Sequence, residues 1–150
     1  MNKVFLFPGQ GSQFVGMAKD LFDEFQFAKD RFEQAENILD YNLAKIAFEG
    51  PNDILKKTRF TQPSIFVHSV IINDFLFSKG ILPSAVAGHS IGEFSALVSA
   101  KALSFKDALS IVKVRANEME KAGFSKPGSM AAILGADQNQ LKTICNQKGI

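Results

Sequence analysis

The strongest constraint in this chain is the stretch Val86-Ala87-Gly88-His89-Ser90-Ile91-Gly92-Glu93. An apolar run over residues 81–87 ends there in Gly-His-Ser-Ile-Gly, and an apolar-periodic segment follows from Phe94. The pattern predicts strand, tight turn and helix, with Ser90 at the tip of the turn. Glycines two before and two after the serine remove the Cβ atoms that clash where a strand reverses sharply into a helix. That is the requirement of a nucleophile elbow. A serine so placed stands exposed beside the first free N–H groups of the helix, donors suited to a developing oxyanion. The alternative is an ordinary strand-to-helix turn that contains Gly-x-Ser-x-Gly without chemistry.

Bulk properties narrow the class. A chain of 150 residues is the size of one domain and can bury a sizeable core. Basic residues exceed acidic ones by 17 − 15 = 2, too few to predict nucleic-acid binding. The single cysteine, Cys145, excludes an internal disulfide framework and a cysteine-based metal cluster. Only four apolar residues, Val4 to Phe7, precede Pro8-Gly9, too few for the apolar core of a signal peptide. No uninterrupted apolar run reaches the length of a membrane span. A soluble, cytoplasmic protein that binds neither membrane nor nucleic acid is expected.

In chain order, Val4–Phe7 reads as a buried strand closed by Pro8-Gly9. The loop Gly9-Gln10-Gly11-Ser12-Gln13 is glycine-rich but fits neither phosphate-binding pattern. No Gly-Lys-Ser/Thr ends it, and the third glycine, Gly16, comes too late for G-x-G-x-x-G. Its glycines still let backbone N–H groups approach a ligand closely, Gln10 among them. Residues 15–39 predict one or two surface helices with Phe22, Phe25, Phe32 and Ala35 inward. Asn52-Asp53 can cap a short helix through Lys57.

Thr61-Gln62-Pro63 places Pro63 as the first residue of a helix that Gly80 ends. That helix is apolar nearly all round, hence central, and His68 on it reads as a satisfied core histidine. Residues 94–102 continue the helix behind Ser90. Ser104 caps the next helix, whose stripe is Phe105, Ala108, Leu109, Val112, Ala116 and Met119. Arg115 lies on the shoulder of that stripe, open to two readings: a surface arginine with its stem over the core, or a functional cation. The segment from Gly123 to Gly128 is the strongest break. A strand over residues 130–134 should follow, then a helix capped by Asp137, with Leu141, Ile144 and Cys145 inward and Gly149 at its end.

Taken together, these segments resemble the malonyl-CoA:acyl carrier protein transacylases of type II fatty acid synthesis, relatives of the acyltransferase domains of polyketide and fatty acid synthases. The resemblance is carried by Phe7-Pro8-Gly9-Gln10-Gly11-Ser12-Gln13, by Thr61-Gln62-Pro63, and by Gly88-His89-Ser90-Ile91-Gly92-Glu93-Phe94-Ser95-Ala96-Leu97. Arg115 with Met119 following, and Gly128-Ser129-Met130-Ala131-Ala132-Ile133, complete it. A start at Met1 is expected of the discrete enzyme and not of a megasynthase domain.

The resemblance implies an α/β fold: an α/β-hydrolase-like large subdomain with a nucleophile elbow over residues 1–126, and the first βα unit of a small ferredoxin-like subdomain, truncated, over residues 127–150. It implies Ser90 as nucleophile, the backbone N–H groups of Gln10 and Ile91 as oxyanion donors, and Arg115 as the clamp on a malonyl carboxylate. Gln62 falls near the pocket or serves the helix start. It further implies malonyl-CoA as substrate, acyl carrier protein as partner carrying the phosphopantetheine, and no metal or other cofactor. The family's basic histidine lies beyond position 150, so this chain is expected to be the N-terminal part of such an enzyme and to lack its base. The competing readings are a serine esterase or thioesterase with the same elbow, and a truncated, non-catalytic chain that binds carrier protein.

Overall fold

The computed structural model describes residues 2–125, 128, 133 and 135–148. Two four-residue strands, β1 (Val4–Phe7) and β2 (Ala85–Gly88), pair in parallel, with Val4 opposite Ala85 and Phe7 opposite Gly88. Parallel strands need a crossover. Here it consists of α1 (Lys19–Glu24), α2 (Gln26–Leu39), α3 (Leu43–Glu49), α4 (Asn52–Leu55) and α5 (Thr58–Ser78). After β2 come α6 (Gly92–Ser99), α7 (Phe105–Ser125) and α8 (Gln138–Lys148).

The core is built around α5. Residues 61–67 of this helix are buried without interruption, as its all-round apolar pattern requires. Phe66 stacks on Phe105 of α7, and Val67, Val70 and Ile71 pack in the same core as Ala28, Phe32 and Ala35 of α2 and Leu109 and Val112 of α7. Phe22, Phe32 and Phe48 meet edge to face at ring separations of 5.0 to 5.6 Å, which absorbs part of the chain's high phenylalanine content. Buried polar side chains at both ends of α5 find partners. Ser99 donates to Asn73 at 2.6 Å, and Thr61 donates to the Leu55 carbonyl at 2.6 Å. Ser95 Oγ on α6 is the exception, buried without a partner among the described residues.

Several boundaries differ from the sequence expectation, each for an identifiable reason. The α5 helix begins at Thr58, so Pro63 lies inside it. A proline there cannot donate to the carbonyl four residues back, that of Arg59. The Tyr41 hydroxyl donates to that carbonyl instead, at 3.0 Å. Burial raises the Tyr41 phenol above its ordinary pKa, against the opposing influence of Arg59. Pro51, and not Asn52, stands at the N-cap of α4, and the helix ends at Leu55, short of Lys57.

The second strand begins only at Ala85, because Pro83 in the apolar run before it has no N–H to give to a ladder. The first strand is only half-buried: Phe7 is covered while Val4 and Leu6 are 58% and 75% exposed. Parallel strands are usually covered on both faces, and among the described residues the face carrying Val4 and Leu6 is not. Helix α6 stops at Ser99 instead of 102. Lys101 takes a left-handed φ of 61°, and the Ala102 N–H reaches back to the Leu97 carbonyl. Gly80 ends α5 in the same way, as expected.

The Ser104 cap of α7 is present, its Oγ accepting from the Asp107 N–H at 3.1 Å. The helix then runs through Gly123, which helices tolerate at a cost of about 1 kcal/mol, so the break starts later than the sequence suggests. Asp137 caps α8 through the Asn139 N–H. Leu141 and Cys145 are only half-buried and Ile144 is 52% exposed, so the inward face expected of α8 is only partly covered among the described residues. The expected strand over residues 130–134, the subdomain boundary at 126 and 127, and the stop at Gly149 fall on or among residues outside the described set.

Replacing Tyr41 by Phe strands the Arg59 carbonyl while keeping the ring that packs on Phe60. The variant should lose about 0.5–1.5 kcal/mol of unfolding free energy in denaturant titrations. No loss would mean that water caps this carbonyl equally well.

Candidate active site

The elbow is held by close backbone approaches that only glycine allows. A Cβ on Gly88 would overlap the Gly92 carbonyl, and one on Gly92 would overlap the Phe7 carbonyl and lie 2.7 Å from that of Pro8. A Cβ on Gly9 would run into the His89 ring and its carbonyl. The first two glycines are those the Gly-x-Ser-x-Gly pattern singles out. Gly9 is a third member, which sequence reasoning assigned to ligand approach and which in fact packs the loop against the elbow. The His89 N–H continues the ladder to the Phe7 carbonyl at 3.0 Å, and Gly92, Glu93 and Phe94 close the first turn of α6 onto residues 89, 90 and 91. Between them Ser90 has a φ of 54°. A left-handed residue other than glycine is uncommon, and here it lifts the hydroxyl out of the turn.

The two expected oxyanion donors both follow the same end of the paired strands. Phe7 is opposite Gly88, and Gln10 and Ile91 each lie three residues beyond that pair. Ile91 buries its side chain completely in the core, which fixes its backbone at the head of α6. Gln10 is exposed in a loop braced by Ser12, whose Oγ donates to the Gly9 carbonyl at 2.9 Å. Neither the Gln10 nor the Ile91 N–H has an acceptor among the described residues. One unbonded N–H thus follows Ser90 directly in sequence, and the other lies in the loop that packs on His89.

Arg115 reaches this site from α7. Its Nη2 donates to Ser90 Oγ at 3.1 Å and its Nη1 donates to Gln62 Oε1 at 2.6 Å. Arg115 is half-buried, and its head is bound to two defined partners. Gln62 is fully buried on α5, and its Nε2 donates onward to Met119 Sδ at 3.2 Å. Met119 itself is 40% exposed, so it does not complete the buried stripe of α7 as expected. Its part in the site was missed from sequence, although its position one turn after Arg115 was the available signal.

The histidines stand elsewhere. His68 lies on α5 in an apolar pocket of about 270 Å³ with Phe7, Met17 and Ile65, its ring edge-on to Phe14. Burial lowers its pKa, with Asp20 pulling the other way. The His89 ring packs against Gly9. Neither bonds to Ser90 Oγ, whose side-chain partner among the described residues is Arg115. No group of three or more His, Cys, Asp or Glu side chains among the described residues is placed to hold a metal ion. Among the described residues, no helix is long and apolar enough to cross a membrane.

Ser90 thus stands exposed at a strand–elbow–helix turn, and comparison with known proteins shows which family this chain belongs to. The chain belongs to the acyl transferase domain family, whose profile matches residues 4–149. Among its relatives, the malonyl CoA-acyl carrier protein transacylase of Bacillus subtilis (strain 168) is 44% identical over 148 residues, covering 98% of this chain and 47% of that protein. The enzyme of the same name from Haemophilus influenzae is 41% identical, over 95% of this chain and 46% of that protein.

The crystal structure of the malonyl-CoA:ACP transacylase of Synechocystis sp. PCC 6803 superposes with a TM-score of 0.89 at 40% identity, covering 98% of this chain and 48% of that one. A malonyl-transacylase solved in complex with its type II polyketide synthase acyl-carrier protein gives a TM-score of 0.85 at 37% identity, with the same coverage. The chain thus spans about half the length of the relatives it matches.

The position of His68 has a measurable consequence. A histidine with a lowered folded-state pKa takes its proton first in the unfolded chain. Stability should therefore be retained above about pH 6.5 and fall as pH drops from there toward the folded value. His68→Gln should flatten that fall in denaturant titrations between about pH 7 and pH 5. An unchanged slope would show that His68 does not contribute to it.

Proposed function

We propose that this chain is the nucleophile-bearing part of a malonyl-CoA:acyl carrier protein transacylase of fatty acid synthesis. The observation that carries the reading is Arg115: a guanidinium held 3.1 Å from the serine hydroxyl by a buried glutamine. Acyl groups without charge give such a cation nothing to bind. A malonyl group presents a carboxylate one methylene beyond the carbonyl that Ser90 would attack. Charge-assisted bonds of this kind contribute roughly 1.5–3 kcal/mol each, and an acetyl group would leave the guanidinium without that partner. The esterase or thioesterase reading has no use for Arg115. The carrier-binding reading has none for the free N–H groups beside Ser90.

In this reading Ser90 Oγ attacks the thioester carbonyl of malonyl-CoA. The oxyanion is received by the N–H groups of Gln10 and Ile91, the C–S bond breaks, and CoA leaves as the thiol with the serine proton. The malonyl-serine ester is then attacked by the pantetheine thiol of acyl carrier protein, which restores Ser90 in a ping-pong cycle. No metal or further cofactor takes part. His68 and His89 do not serve as the base. The resemblance assigns that role to a histidine beyond position 150.

The same proposal divides the chain into an α/β-hydrolase-like large subdomain, residues 1–126, and the opening of a ferredoxin-like one, residues 127–150. It includes the expected cytoplasmic setting. Support comes from the family match, from relatives that carry this name, and from a relative solved with its carrier protein.

Incubating the complete gene product with malonyl-CoA and locating the adduct by peptide mass spectrometry should find one malonyl group on Ser90, absent in Ser90→Ala. No adduct, or one elsewhere, would sink the proposal. Arg115→Ala should cut kcat/KM for malonyl-CoA by roughly ten- to a hundredfold and spare acetyl-CoA. If the two thioesters keep their wild-type ratio, Arg115 is not the clamp.

A further inference from the structure

Arg115 and Met119 stand one turn apart on α7 and bracket the amide of Gln62 from α5. Nη1 of Arg115 donates to Oε1 at 2.6 Å, and Nε2 donates to the Met119 thioether at 3.2 Å. From this bracket we infer that Met119 is a positioning residue for the carboxylate clamp, acting through Gln62 and touching no substrate. The inference rests on Arg115 being that clamp.

The argument is one of donors and acceptors. Gln62 is fully buried, so its amide cannot exchange partners with bulk water. An arginine head only donates, so it accepts just one orientation of the amide, with the oxygen toward Nη1. In that orientation the NH₂ group must find an acceptor on its other side. A thioether sulfur is a weak acceptor and carries no N–H or O–H to compete with Nε2. With the amide flipped, NH₂ would face the guanidinium and the oxygen would face the sulfur lone pairs, which offer it nothing. Met119 therefore helps to select the orientation that fixes Arg115 Nη1, and this in turn aims Nη2 at Ser90 Oγ. Half-buried Arg115 has a long, flexible side chain that would otherwise sample several rotamers, and fixing it in advance lowers the entropy lost on binding a carboxylate. The same spacing accounts for a 40% exposed methionine next to a buried glutamine: its sulfur, and not its burial, is what the clamp uses.

The test compares malonyl-CoA with acetyl-CoA in the complete gene product. Met119→Leu keeps an apolar side chain of similar size and removes the acceptor. It should lower kcat/KM for malonyl-CoA by roughly two- to tenfold, mainly through KM, and leave acetyl-CoA unchanged, while Tm falls by a few degrees because the buried Gln62 Nε2 loses its acceptor. Met119→Gln, whose amide oxygen can accept from Gln62, should restore the malonyl-to-acetyl ratio. A merely structural role would lower both thioesters together. That result, or a wild-type ratio in Met119→Leu, overturns the inference. Arg115→Ala run in parallel separates the two readings. If it shifts the ratio and Met119→Leu does not, the clamp stands and the positioning role falls. If it leaves the ratio unchanged, the clamp falls and the positioning role with it.

Discussion

A side chain at position 92 would collide with the carbonyls of Phe7 and Pro8, and one at 88 would collide with position 92 itself. Three pieces of backbone, the end of β1, the end of β2 and the start of α6, thus meet at van der Waals distance with no side chains between them. The rest of the elbow follows from that junction. It sets Gln10 and Ile91 at equal distances in sequence beyond a paired register, and it holds Ser90 in the left-handed region. The helix head also stays close to the loop that carries the second free N–H group. Ile91 closes the junction from below, with its side chain buried in the core. In the proposed reading, the oxyanion site is therefore preorganised by packing and does not depend on loop ordering when substrate arrives.

The second half of the site is carried by helix packing. Gln62 comes from α5, the helix around which the core is assembled, and Arg115 and Met119 from α7, which packs along it. Stacked Phe66 and Phe105 and the run of Ala108, Leu109 and Val112 hold the two helices in one register. A slide of one helix along the other would separate Gln62 from both its partners. On the proposed reading, specificity toward a charged acyl group is a property of the α5–α7 interface, while nucleophilicity is a property of the β1–β2–α6 junction.

The elbow was legible in the sequence because its constraint is local and steric: glycines at fixed offsets on both sides of a serine suit few backbone geometries besides this one. The capping of α7 by Ser104, the stop at Gly80 and the central place of α5 were legible because they too are written in neighbouring residues. The start of α5 was not. A proline rule predicts Pro63 at the first turn, and what overrides it is a hydroxyl from Tyr41, a residue of the α2–α3 connection. Arg115 was ambiguous because a helical wheel gives its angle but not its partners, which lie 53 and 25 residues away. The role expected of Gln10 came from resemblance alone, since no local pattern in a glycine-rich loop says which backbone N–H faces a ligand. The uncovered face of β1 had no signature, since an apolar run reads alike whether one or both faces are packed.

The φ of 54° at Ser90 has one further consequence. An L-residue in that region costs the fold of order 1–3 kcal/mol, a cost glycine would not incur. In the proposed reading, the elbow is therefore a place where the most stable sequence and the reactive sequence differ. Selection for stability alone would drift this position toward glycine, with the same backbone and no hydroxyl. The serine marks where the molecule gives up part of its folding free energy to keep a hydroxyl outside the turn, and the surrounding core of phenylalanines and buried aliphatic side chains is the reserve from which that part is drawn.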